Sequence, residues 1–140
     1  MDEQQVKNLI EQAKNARRNA YVPYSAFPVG AAILTANGDI FSGCNIENAS
    51  FGLTNCAERT AIFKAVSEQQ NHFSAVAVVA DTEEPISPCG ACRQVLAEFC
   101  TKETIIYLTN LKGKVQRCTI DQLLPGAFAA DDMSHDSTQG

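Results

Sequence analysis

A tripeptide that begins at Cys56 and a Cys-X-X-Cys motif from Cys89 to Cys92 carry the residues that could do chemistry. Three cysteine thiolates can bind one tetrahedral zinc ion and leave its fourth position open, which is the arrangement of a catalytic zinc site. Glu58 comes two residues after the first cysteine. Its carboxylate could therefore face a water molecule in the open position and act as an acid and base rather than as a ligand.

The alternative is a closed zinc site, in which Cys44 is a fourth thiolate and the metal only stabilises the fold. Closed sites usually present four ligands as two short pairs, whereas one of the cysteines here stands alone. The pattern therefore favours catalytic zinc. We expect Cys44, Cys100 and Cys118 to be small buried apolar residues, because they lie in apolar stretches.

Two arginines follow the cysteine motifs directly, Arg59 after the first and Arg93 after the second. Three thiolates exceed the charge of Zn2+, and a guanidinium that donates to a ligand sulfur would offset the excess. We favour Arg59 for this second sphere of the metal, with an ordinary surface ion pair as the alternative. Pro88 suits the start of a helix and stiffens the approach to Cys89.

The composition predicts one globular domain without a membrane or nucleic-acid partner. The chain has 140 residues, of which 45% are hydrophobic, and a net charge of -5. That charge disfavours binding to a phosphate backbone. We expect a single catalytic domain over residues 1–130 and a frayed polar tail over 131–140. No apolar run is long enough to span a bilayer, and the charged N-terminus does not resemble a signal peptide, so we expect a cytoplasmic protein with reduced thiols.

The periodicity of apolar residues predicts an α/β fold with a mixed sheet of five strands between helices, a three-layer α/β/α sandwich. Asn37-Gly38 lies between the first two predicted strands and favours a tight hairpin. Both cysteine motifs are predicted to begin helices. The predicted helices cover 2–20, 56–66, 89–99 and 120–124, and the predicted strands cover 29–35, 40–44, 73–80, 104–109 and 114–118.

Five motifs together resemble the small cytidine deaminases of pyrimidine salvage. They are PYSAFPVGAA at 23–32, GCNIENAS at 43–50, CAERTA at 56–61, PCGACRQ at 88–94 and LLPGAF at 123–128. The cysteine and glutamate pattern is also similar to that of zinc-dependent nucleobase deaminases. The resemblance implies the cytidine deaminase-like fold, one zinc ion per subunit, and hydrolysis of cytidine and 2'-deoxycytidine to the uridine nucleosides and ammonia.

The resemblance also implies roles for individual residues. Asn45 and Glu47 match the pair that binds the ribose, Phe27 matches a residue that packs on the pyrimidine, and the backbone of Ala57 is expected to help hold the base. Phe128 matches a residue that reaches the base from a neighbouring subunit. Relatives with this motif are generally homotetramers with active sites near subunit contacts, so the resemblance implies a homotetramer here too. One departure is Phe51, which stands where many relatives have tyrosine.

Three other functions stay open at this point. The same zinc chemistry could act on another aminopyrimidine, such as blasticidin S, although the Asn45 and Glu47 pair favours a nucleoside. Deamination of a base within RNA or DNA is disfavoured by the acidic composition. A binding module with structural zinc would require a fourth protein ligand.

Overall fold

The structure, a computed structural model, describes residues 1–85, 88 and 90–123. The predicted tail and the end of the predicted domain lie outside these residues. The helices are α1 (Glu3–Arg17), α2 (Ala57–Ser67), α3 (Gly90–Phe99) and α4 (Ile120–Leu123), with a 3-10 helix at Phe51–Leu53. The strands are β1 (Val29–Thr35), β2 (Ile40–Cys44), β3 (Phe73–Ala80), β4 (Ile105–Asn110) and β5 (Val115–Cys118).

The five strands form one mixed sheet in the order β2-β1-β3-β4-β5. Only β3 and β4 pair in parallel, and α3 lies between them in the sequence, as a parallel crossover connection requires. The other neighbouring strands are antiparallel. The predicted hairpin between β1 and β2 is confirmed, with Gly38 at a φ of 91° in its turn. Glycine adopts this left-handed conformation without steric cost.

Helices cover both faces of the sheet, which confirms the predicted three layers. Because strand side chains alternate between faces, the apolar run of β3 divides into two sets. Val76 and Val78 pack in the core that includes Ile62 of α2 and Leu96 of α3. Ala77 on the same strand packs in a second core that includes residues of α1. A strand that is buried on both faces explains why β3 shows no polar alternation.

The first helix ends earlier than predicted, at Arg17 rather than at residue 20. The N–H groups of Asn19 and Ala20 bond to carbonyls three residues back, in a final tight turn. Tyr21 then leaves the helix to pair with the segment after β2, because its N–H donates to the carbonyl of Asn45 at 3.0 Å. A backbone pairing with a remote segment therefore ended the helix, and the local periodicity could not reveal it.

No helix in the described part of the chain is long and apolar enough to cross a membrane.

Candidate active site

Cys56 and Glu58 lie at the start of α2, as the motif predicted. Cys56 is the N-cap residue and Glu58 is the second residue of the helix. The approach to the helix is fixed by Asn55, whose N–H and carbonyl both bond to Ile46, at 2.9 and 2.8 Å. The Asn55 side chain also donates to Thr60 Oγ1 at 3.1 Å. The residues after β2 are thereby held against the helix start.

The second cysteine motif lies at the start of α3. Cys92 is in the first turn of this helix and is fully buried. Cys89 precedes the helix and lies outside the described residues. Both motifs therefore lie at helix N-termini, where unpaired N–H groups and the helix dipole stabilise thiolates.

The two motifs meet around Arg59. Its Nη2 donates to Sγ of Cys56 at 3.4 Å and to the carbonyl of Thr54 at 3.4 Å. The pKa of the guanidinium is raised, first by the hydrogen bond to Cys56 and also by a hydrogen bond to Cys92. Arg59 therefore lies between both described cysteines of the predicted metal site and can withdraw charge from each sulfur.

Arg93, the other candidate, contacts carbonyl oxygens instead of sulfur. Its Nε donates to the carbonyl of Pro88 at 2.9 Å, and its Nη1 donates to the carbonyl of Leu123 at 2.7 Å. Pro88 is buried and directly precedes Cys89. Arg93 thus joins the peptide that leads into the second motif to the end of α4.

Glu58 is 4% exposed, and its environment raises the pKa of its carboxyl group to about 7. The main cause is desolvation by burial, which disfavours the charged carboxylate. The nearby Cys56 also raises the pKa, whereas Arg59 and a hydrogen bond with Cys92 lower it. A carboxyl group with a pKa near neutrality can both accept and donate a proton, as an acid and base catalyst must.

The described part of the donor set fits a thiophilic cation. Two cysteines share one guanidinium at two helix N-termini, and sulfur is a preferred zinc ligand. Among the residues described, no three His, Cys, Asp or Glu side chains form a group that could hold a metal, so Cys44 does not complete a set with Cys56 and Cys92. The third predicted ligand, Cys89, lies outside this search.

The predicted ribose pair lies on the loop after β2, beside Phe27. Asn45 donates through Nδ2 to the carbonyl of Phe27 at 2.9 Å and accepts through Oδ1 from the N–H of Val29 at 2.9 Å. Glu47 accepts through Oε1 from the N–H groups of Tyr24 and Ser25, at 2.9 and 3.1 Å. Both side chains therefore hold the chain around Phe27, whose side chain is 37% exposed.

The environment of Glu47 is opposite to that of Glu58. The hydroxyl of Ser25 donates a hydrogen bond to Oε2 of Glu47. This bond is the main cause of a lowered pKa for Glu47. Desolvation opposes it, and the backbone N–H groups of Tyr24 and Ser25 lower the pKa further. Hydrogen bonds to the charged form of a carboxylate favour that form.

The remaining predicted residues have distinct positions. Ala57 is fully buried at the first position of α2. Phe128 lies outside the described residues. Phe51, the departure from the family pattern, is 87% exposed on the 3-10 helix. Cys100 and Cys118 are buried as predicted, and burial raises the pKa of both thiols, that of Cys100 to about 12. The prediction that Cys44 is buried is wrong: it is only partly buried, because it ends β2, a strand at the edge of the sheet.

The sequence did not indicate the contacts of Ser25. Its position within the motif at 23–32 was the only signal, and its partner Glu47 lies 22 residues further along the chain. The sequence also did not indicate the backbone conformation of Ala26. It is one of two described non-glycine residues with positive φ, at 56°. The turn that includes Ser25 and Ala26 is held by hydrogen bonds that Tyr24 and Ser25 donate to Glu47. The local sequence does not encode these bonds.

Comparison with known proteins identifies the family. Residues 3–108 match the family model described as the cytidine and deoxycytidylate deaminase zinc-binding region. A cytidine deaminase of Sporosarcina psychrophila is 60% identical over 134 residues, which cover 96% of this chain and 98% of the relative. The crystal structure of cytidine deaminase from Burkholderia pseudomallei superposes with a TM-score of 0.85 at 51% identity, over 91% of this chain and 100% of that one.

A blasticidin-S deaminase of Bacillus cereus is more distant, with 34% identity over 105 residues that cover 69% of this chain and 74% of the relative. The sequence is thus more similar to the relative named for cytidine than to the one named for the antibiotic. The match to the family model covers most of the chain and includes the first motif and the whole second motif. The chain therefore belongs to the cytidine and deoxycytidylate deaminase family.

Proposed function

We propose that the protein is a zinc-dependent hydrolase that converts cytidine and 2'-deoxycytidine to uridine and 2'-deoxyuridine with release of ammonia. The observation that supports this most directly is the position of Glu58. Its buried carboxyl group contacts one predicted zinc ligand, Cys92, and lies two residues from another, Cys56. The bonds between Ile46 and Asn55 bring the predicted sugar-binding loop to the same helix start.

Cys56, Cys89 and Cys92 would hold one zinc ion in each subunit. When bound, zinc acts as a Lewis acid that lowers the pKa of a water molecule and so provides a nucleophile at neutral pH. Arg59 offsets the negative charge of the thiolates through its hydrogen bonds to Cys56 and Cys92. Without that compensation, three thiolates would make the water less acidic.

Glu58 moves the protons of the reaction. It takes a proton from the attacking water and delivers it to ring nitrogen N3, which makes C4 more electrophilic. After the water oxygen adds to C4, Glu58 transfers the second proton to the amino group, and ammonia leaves as the C4 carbonyl forms. One water molecule is consumed for each ammonia released. Burial raises the pKa of this carboxyl group to about 7, which suits a group that takes up and releases protons.

The nucleoside would be bound by residues of the segments before α2 and by the first residue of α2. Asn45 and Glu47 bind the sugar, Phe27 packs on the pyrimidine, and the backbone of Ala57 holds the base. Phe128 of a neighbouring subunit would complete the site in a homotetramer. Exposed apolar side chains near the site support such an assembly, since Phe51 is 87% and Leu53 71% exposed in the single chain. A single domain over 1–130 and a cytoplasmic location stay predictions from the sequence.

The test is ultraviolet monitoring of cytidine conversion by the purified protein, before and after zinc is removed and restored. We expect activity to be lost on removal and regained with zinc, with deoxycytidine also converted and with free cytosine and blasticidin S poor substrates. Cys92→Ser should lose zinc and activity, whereas the matched variant Cys44→Ser should keep both. Loss of zinc in Cys44→Ser would support the closed structural site instead.

A further inference from the structure

The hydroxyl of Ser25 lies between Glu47 and the backbone of Phe27. It contacts Oε2 of Glu47, and it lies 3.1 Å from the N–H of Phe27. The direction of both bonds follows from chemistry, because an ionised carboxylate only accepts and a backbone N–H only donates. Ser25 therefore gives its proton to Glu47 and accepts the N–H of Phe27 on a lone pair.

These bonds determine which atom of Glu47 is available to a ligand. Oε1 accepts two backbone N–H groups, from Tyr24 and Ser25, which occupy both of its lone pairs. Oε2 accepts the Ser25 hydroxyl and has a second lone pair. Within the part of the chain that the structure describes, Oε2 is thus the oxygen of Glu47 with acceptor capacity left.

Asn45 is used in a complementary way. Its Oδ1 accepts from Val29, and one hydrogen of Nδ2 is donated to the carbonyl of Phe27. Within the described residues, the second hydrogen of Nδ2 is the donor of Asn45 that remains for a ligand. A sugar hydroxyl can accept a hydrogen bond from Nδ2 of Asn45 and donate one to Oε2 of Glu47. The two side chains together therefore match one hydroxyl group.

We propose that Ser25 is a positioning residue for the sugar: its hydroxyl orients Oε2 of Glu47 and so makes the site selective for nucleosides that carry the hydroxyl group bound there. This inference rests on the proposed function, since it requires a nucleoside substrate. Ser25 does not touch the substrate in this scheme. Ser25 acts through Glu47. Its Oγ atom also accepts the hydrogen bond from the backbone N–H of Phe27 and so fixes that peptide.

The experiment is a cycle of enzyme and substrate changes. Wild type and Ser25→Ala are each assayed with cytidine and with 2',3'-dideoxycytidine, which lacks the 2' and 3' hydroxyl groups of the sugar. The second nucleoside is tested as a substrate and as a competitive inhibitor. Ser25→Ala keeps the backbone N–H of residue 25 and removes only the hydroxyl from an exposed position, so the fold should persist, which a melting curve checks. Ser25→Thr keeps a hydroxyl, and Ser67→Ala is a control that removes an exposed serine hydroxyl at the end of α2.

We expect Ser25→Ala to lower kcat/KM for cytidine about tenfold, mainly through KM, because a charge-assisted hydrogen bond is lost. The affinity for dideoxycytidine should change less than about twofold by the same reasoning, and Ser25→Thr should recover most of the cytidine activity. In a variant that already carries Glu47→Gln, adding Ser25→Ala should lower kcat/KM for cytidine little further. An equal loss with both nucleosides would overturn the proposal, since Ser25 would then serve only the Phe27 loop. Failure of wild type to deaminate cytidine would instead refute the proposed function.

Discussion

The two glutamates of the candidate site show how one side chain acquires two roles from its surroundings. Glu58 lies at the buried start of α2, where desolvation raises the pKa of its carboxyl group to about 7. Glu47 lies on a loop, where the Ser25 hydroxyl and two backbone N–H groups lower its pKa. Glu58 can therefore exchange protons near neutral pH, whereas Glu47 remains an ionised acceptor. The first is suited to catalysis and the second to binding.

The difference follows from where the chain places each residue. At the start of α2, the loss of water around the buried Glu58 carboxyl group outweighs the hydrogen bonds and the Arg59 charge that favour its ionised form. The Glu47 loop instead turns back on residues 24 and 25, whose N–H groups have no partner in a strand and point at the carboxylate. The comparison predicts that changes to the two glutamates will affect different kinetic constants.

The largest effect should come from Glu58→Gln. The amide cannot accept and return a proton, so kcat should fall by about 10²- to 10⁴-fold, the usual contribution of a positioned acid and base. Zinc content and the KM for cytidine should change little, because the cysteines and the sugar loop are untouched. Metal analysis with steady-state kinetics measures this, and Glu68→Gln at the C-cap of α2 is the control. A kcat near that of wild type would remove Glu58 from the mechanism.

Glu47→Gln should have the opposite signature. The glutamine NH2 group would face an N–H or O–H donor where a carboxylate oxygen accepts now, and the charge would be lost. We expect KM for cytidine to rise about 10- to 100-fold, which corresponds to a lost hydrogen bond to a charged group. The kcat value should stay within a few fold of wild type. Glu84→Gln, on an exposed salt bridge, is a matched control. A fall in kcat as large as that in Glu58→Gln would contradict the assignment of catalysis to Glu58 and binding to Glu47.

The sequence was sufficient to predict the elements that depend on local signals. The Asn37-Gly38 hairpin, the apolar run of β3 and the helices after both cysteine motifs all lie where the patterns placed them. The 3-10 helix at Phe51–Leu53 was not predicted, since three residues have no periodicity to read.

The parts of the site that sequence could not supply are contacts between distant segments. Ser25 bonds to Glu47, Arg93 bonds to the carbonyl of Leu123, and Ile46 pairs with Asn55. Each of these bonds joins residues in different segments of the chain, so no local pattern encodes it. The family resemblance gave Glu47 a role toward the sugar, but its bonds to the chain around Phe27 emerged only from the structure.

A change at Gly43 should disturb the spacing between the two glutamates. Gly43 lies on β2, directly before the loop of Glu47 and against the helix of Glu58. A Cβ at this position would lie 2.6 Å from the backbone N of Ala61 and 3.0 Å from the carbonyl of Ala57. Because backbone atoms cannot move aside, Gly43→Ala should lower the free energy of unfolding by about 2 kcal/mol, as overpacking of a core does.

Chemical denaturation measures that loss, and Gly52→Ala is the control. Among the described residues, no atom outside its two chain neighbours lies within 4 Å of its added Cβ. If Gly43→Ala were as stable as Gly52→Ala, β2 would not be packed closely on α2. The separation between the catalytic and binding glutamates would then be set by another contact.

The smallest effect should come from Arg93→Lys, which bears on the Glu58 side of the site only. Arg93 reaches the carbonyls of Pro88 and Leu123 through two different nitrogens, and a lysine has one nitrogen to offer. The peptide before Cys89 would lose one of these restraints, and the affinity for zinc should fall about tenfold, as for other residues that orient ligands. Competition with a chelator measures this, with Arg18→Lys as the control.

The zinc-loaded variant should bind cytidine with the KM of wild type, because the loop of Glu47 does not contact Arg93 through any bond the structure describes. A raised KM with unchanged zinc affinity would mean that Arg93 acts on the nucleoside rather than on the metal, and the division between the two sides of the site would have to be redrawn.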